Sequence, residues 1–162
     1  MAYLLDANVF MQAKNLHYGL DFCPAFWDWL VEKNNTKQLF SIEKVEDEIN
    51  AGRDELSDWA AQCGAQFFLK PDTAILSALG RVSIWATTQQ YEPSAVNTFL
   101  QVADYYLVAH ALAYKYIIVT HEIASSSTKR IKIPNACIGL GIKCMTPYEM
   151  LRMERAKFVL GR

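Results

Sequence analysis

Four acidic positions in this 162-residue chain stand where their neighbours call for something else. Asp6 directly follows the apolar run Ala2-Tyr3-Leu4-Leu5, and Glu122 directly follows Tyr116 to Thr120. Asp104 falls in register with Leu100, Leu107, Val108 and Ala111 on what reads as one helical face. Glu46 and Glu48 flank the face made by Ile42, Val45 and Ile49, and the helical pattern alone does not choose between them. None of these acids has an obvious Lys or Arg partner nearby in sequence. A carboxylate buried without a partner costs several kcal/mol, or its pKa rises until it neutralises. Carboxylates gathered together raise one another's pKa, and a shared divalent cation removes the conflict. Mg²⁺ and Mn²⁺ prefer oxygen ligands. Such a cluster suits hydrolysis of a phosphodiester, with the metal activating water and neutralising developing charge. The plainer readings are that Asp6 caps a turn with Asn8 and that Asp104 faces a helix dipole near a helix start.

The elements that would position these acids follow from periodicity. Ala2–Leu5 and Tyr116–Thr120 read as strands buried on both faces. Gln66–Leu69 and Ile142–Met145 are shorter strand candidates. A polar turn is expected from Gln12 to Gly19, then an amphipathic helix opened by Asp21 or Pro24 and ended by Asn34-Asn35. Its aromatic stripe, Phe22, Phe26 and Trp29/Leu30, is expected to be core. Leu39-Phe40 lead into Ser41, a good N-cap for the helix carrying Val45 and Ile49. A helix from Glu55 to Cys63 ends at Gly64, and Asp72 or Thr73 caps another through Trp85. A long helical pattern runs from Phe99 to Tyr116. Pro134 opens a short helix ending at Gly139 or Gly141, and Pro147 starts a final one. Strands alternating with helices predict an α/β domain around a parallel sheet, with strand ends along one edge. In such sheets the working crevice lies beyond the carboxyl ends of the strands, where Asp6 and Glu122 fall.

Length and composition predict one domain spanning residues 1–162 with a sizeable core. No apolar run is long enough to span a membrane, and the first residues lack the features of a signal peptide. Cys23, Cys63, Cys137 and Cys144 are widely spaced, as are the three histidines, which argues against structural zinc. They read as reduced thiols of a cytoplasmic protein. Charge is uneven: residues 1–60 carry eleven Asp/Glu against five Lys/Arg, and residues 123–162 carry eight Lys/Arg against two Asp/Glu. An acidic centre beside a basic surface is the implied arrangement, with Lys129, Arg130 and Lys132 placed to track phosphates. The bland alternative is basic terminal helices that serve solubility.

Four stretches together resemble the acidic motifs of PIN domains: L-L-D-A-N at Asp6, V-x-x-E-I at Glu48 with Gly52 four residues on, A-D-x-x-L-V-A at Asp104, and V-T-H-E at Glu122. Each is weak alone, but their order and spacing agree across nearly the whole chain. The resemblance implies a three-layer α/β/α fold around a parallel sheet. It implies a Mg²⁺- or Mn²⁺-dependent ribonuclease whose metal cluster is Asp6, Glu48, Asp104 and Glu122. Asn8 and Thr120 would be supporting polar groups, and Lys129, Arg130 and Lys132 would hold the RNA backbone. Many members of this size are toxins, similar to the VapC group, paired with an antitoxin protein and commonly homodimeric. One departure is clear: many members have Thr-Asn-Asp where this chain has Thr120-His121-Glu122.

Two rival readings stand beside it. A haloacid-dehalogenase-type phosphatase would use Asp6 as nucleophile, but it needs an acid where Asn8 stands, and Lys129 is only a loose match for its lysine. A binding module without activity would dock a partner helix on Phe26, Trp27 and Trp29.

Overall fold

The computed structural model describes residues 1–161. Five short strands form its centre: β1 (Tyr3–Leu5), β2 (Leu39–Ile42), β3 (Phe68–Leu69), β4 (Ile117–Val119) and β5 (Cys144–Met145). Their order is β3-β2-β1-β4-β5, and every pairing is parallel. All residues of β1 and β4 are buried, as their unbroken apolar sequences require when helices cover both faces.

Helices α1 (Ala7–Gln12) and α2 (Pro24–Asn35) connect β1 to β2, and α3 (Glu43–Ala51) and α4 (Glu55–Cys63) connect β2 to β3. Then α5 (Thr73–Thr88), α6 (Pro93–Phe99) and α7 (Ala103–Tyr114) lead to β4, α8 (Ile133–Leu140) leads to β5, and α9 (Pro147–Met153) follows. The chain leaves β1 in one direction and later returns past it in the other. Right-handed crossovers therefore put α2 and α4 on one face and α5, α7 and α8 on the other. The packing agrees: Trp27 of α2 meets Trp59 of α4 edge-on at 4.9 Å between centroids, while α5, α7 and α8 pack on one another. This is the expected three-layer α/β/α arrangement. No helix among the described residues is long and apolar enough to cross a membrane.

Several boundaries follow the residues expected to set them. Asp72 caps α5 by accepting from the Ile75 N–H, and Pro147 sits in the first turn of α9 behind the Thr146 cap. Gly141, at φ +72°, ends α8 in the left-handed conformation that glycine tolerates best. Gly139 has another role, since a Cβ there would collide with the Trp85 indole of α5.

Other expectations are corrected. Ser41 is not a helix cap but a buried strand residue, because pairing with β1 and β3 carries β2 on to Ile42. Its hydroxyl donates to the Leu5 carbonyl at 2.7 Å. The polar turn at Gln12–Gly19 is instead α1 running into a π-helical turn, Ala13–His17, because Val9, Phe10 and Ala13 are drawn into the core. Phe22 precedes α2 and is 69% exposed, whereas Phe26, Trp27 and Leu30 are buried. Phe26 and Trp27 are thus core and offer no docking face. The pattern from Phe99 to Tyr116 is broken at Leu100–Val102, between α6 and α7.

Candidate functional site

The strand order turns at β1, with β2 on one side and β4 on the other, so the crevice of this sheet opens beyond the carboxyl ends of β1 and β4. Asp6 and Thr120 are the first residues past those two strands. The Asp6 N–H continues the ladder by donating to the Val119 carbonyl at 3.0 Å. Its carboxylate, only 5% exposed, accepts from the Ala7 N–H at 2.7 Å and from the Thr120 hydroxyl at 2.8 Å. Asp6 therefore caps the helix α1 through Ala7, not a turn with Asn8, which bonds to Thr120 and His121 instead, and it also faces the crevice. The Thr120 oxygen accepts from Asn8 Nδ2 and from the Glu122 N–H, both at 3.1 Å. Those two donors leave the hydroxyl proton for Asp6. Asn8 Oδ1 accepts from the His121 N–H at 3.2 Å, tying α1 to the turn after β4. The His121 ring points elsewhere, packing on His17 and Tyr148.

Three further acids reach the same place. The break after α6 restarts the chain as α7 at Ala103, so Asp104 lies in a first helical turn and is half-buried. Helix α3 packs on both α1 and α7, which brings Glu48 to the rim. Glu122 lies two residues beyond Thr120. Asp6, Asn8, Glu48, Asp104, Glu122, Lys129 and Arg130 all line one cavity of about 480 Å³. Glu46 does not; its charged neighbours are Asp47, Glu43 and Lys70. Lys132 does not line it either, and stands instead at the N-cap of α8.

The electrostatics are those of crowded carboxylates. Burial pushes Asp6 up to about 6 and the charges of Glu122 and Glu48 add to this, while the Thr120 and Ala7 hydrogen bonds oppose it. Burial, then Asp6, Glu122 and Glu48, push Asp104 up to about 7, with Arg130 opposing. Desolvation also raises Glu48, although much of its side chain is exposed. Glu122 is otherwise engaged: one oxygen accepts from the Ile133 N–H at 2.8 Å, and the other lies 3.4 Å from the Arg130 guanidinium. It thereby caps α8, whose own N-cap residue provides no side-chain bond.

The donor chemistry fits Mg²⁺ or Mn²⁺: carboxylate oxygens only, mutually repelling, in a cavity that can also hold water. The geometry is open. Among the described residues no group of three or more His, Cys, Asp or Glu side chains is arranged to hold a metal ion as it stands. Beside Ala7, the rest of the cavity wall comes from Met11, Ala95, Thr98, Phe99, Val102 and Ile131. Sequence reasoning missed these because a stripe such as Ala95, Phe99 and Val102 looks the same whether it covers a core or a cavity.

A parallel α/β chain with an acid-lined cavity at its switch point is the class that fold and site define. Residues 3–158 match the family described as a domain of unknown function, DUF4411, and the chain belongs to that family. No curated protein and no solved structure matches it.

Proposed function

We propose that the chain is a PIN-type, Mg²⁺- or Mn²⁺-dependent endoribonuclease hydrolysing RNA phosphodiester bonds. One observation carries this reading: Asp6, Glu48, Asp104 and Glu122, remote along the chain, line a single cavity beside Lys129 and Arg130. Asp6, Asp104 and Glu48 would hold the cation, with Glu122 nearby. A divalent cation there would activate water and neutralise charge on the leaving oxygen. Thr120 and Ala7 fix the Asp6 carboxylate, so its oxygens need not reorganise when it is used. Arg130 and Lys129 also line the cavity, and there they would position the RNA backbone. The test is cleavage of RNA with Mg²⁺ or Mn²⁺: Asp6→Asn and Asp104→Asn each lose on the order of 100-fold in rate, and undiminished cutting by either removes the scheme.

On the same resemblance, the protein is the cytoplasmic toxin of a toxin–antitoxin pair, acts as a homodimer and is silenced by an antitoxin protein. Expression of the native chain then arrests growth, and Asp6→Asn does not. The second reading, a PIN-fold binding module without activity, is favoured by the engagement of Glu122 with α8 and Arg130 and by the open geometry of the acids.

A further inference from the structure

Part of the cavity has no role in the reading above. Besides the carboxylates its lining includes apolar side chains, Met11, Val102 and Ile131, with Phe99 of α6 beside them. Val102 remains 37% exposed and Met11 is half-buried, whereas Ile131 and Phe99 are buried and contribute only their edges to the lining. Neither a phosphate nor a hydrated cation gains from such a wall, because both are held by charge and hydrogen bonds. Thr98 is the one hydroxyl-bearing residue on the lining; it is exposed, and its side-chain hydroxyl, unlike its carbonyl, is free of protein partners among the described residues. Thr98 and Val102 are four residues apart, at the end of α6 and the break that follows, so the interruption that frees Asp104 also sets this wall.

A nucleotide combines the features that the cationic and the apolar members of the lining match separately. Its phosphate suits Lys129 and Arg130. Its base has apolar faces and a polar edge. A volume of about 480 Å³ is within the range of small-molecule sites. We infer that the Met11–Val102–Ile131 wall seats one base of the RNA, turned out of its stack beside the phosphate to be cut, and that the Thr98 hydroxyl reads the edge of that base. The inference rests on the nuclease reading and adds to it the residues that choose the base. A base inside a helical stack cannot reach such a wall, so the bound nucleotide is unpaired.

The experiment is binding of short fluorescent single-stranded RNA to the full-length Asp6→Asn chain, followed by anisotropy, with an abasic site moved through every position. One position is expected to cost about tenfold in affinity, the scale of losing one stacked base. Val102→Ala, an exposed position, shrinks that penalty, and Thr98→Val changes which base is preferred there. RNA that binds with no penalty at any abasic position overturns the inference and leaves the nuclease reading standing. A penalty that neither variant alters also overturns it. RNA that fails to bind at all sinks both.

Discussion

Asp6 and Asp104 hold their protons more tightly in the folded chain than an exposed aspartate does. Ionising them is therefore a load that only the folded state carries. Their contribution is most favourable below the ordinary value of 3.8 and is lost as pH rises through about 6 and 7. The metal-free chain should accordingly gain thermal stability on acidification from pH 8 to pH 5, read by melts in a chelator. Asp104→Asn should be the more stable protein at pH 8, by on the order of 2 kcal/mol, with a shallower pH slope. An unchanged slope would mean that Asp104 is not the group responsible. Asp6 was legible as a site residue because its oddity is local: an acid placed where a buried strand ends. The choice between Glu46 and Glu48 was not legible from the helical pattern, because it depends on how α3 rolls against α1 and α7.

At the level of elements, Glu122 behaves differently from the other acids. It closes the N-terminus of α8 through the Ile133 N–H. At pH 5, where Asp6 and Asp104 hold their protons and the Glu122 charge no longer repels them, Glu122→Ala should destabilise the metal-free chain by about 1 kcal/mol, the cost of a lost cap, whereas Asp104→Asn stabilises it at pH 8. Urea titration of both variants checks the opposite signs; two shifts in the same direction would contradict this division of labour. The break between α6 and α7 is the element-scale feature that sequence pattern hid. Leu100 and Val102 keep the apolar rhythm, so periodicity read through the interruption. Ser41 misled for a related reason: its propensity to cap is real, but strand pairing with β1 and β3 claimed its backbone.

For the whole molecule, a cation that binds only the folded chain must raise its melting temperature. Millimolar Mg²⁺ or Mn²⁺ should do so at pH 8, and Asp104→Asn should abolish most of the rise. Equal rises in both proteins would place the ion elsewhere. The aromatic face of α2 shows both cases: Phe26 is core as its helical stripe predicts, whereas Trp27, outside that stripe, is buried because Trp59 of α4 packs against it.

The amino-acid sequence by itself determined the parallel sheet and the acids at the ends of β1 and β4, because a buried strand and the charge that stops it are written in consecutive residues. Only the tertiary structure decided that Glu122 is spent on α8 and that apolar side chains share the cavity with the carboxylates, while Glu48, already favoured over Glu46 by its spacing to Gly52, lines that cavity. Those facts depend on strand order and helix rotation, which fix distances between residues far apart in the chain and leave no mark on the local pattern of any one segment.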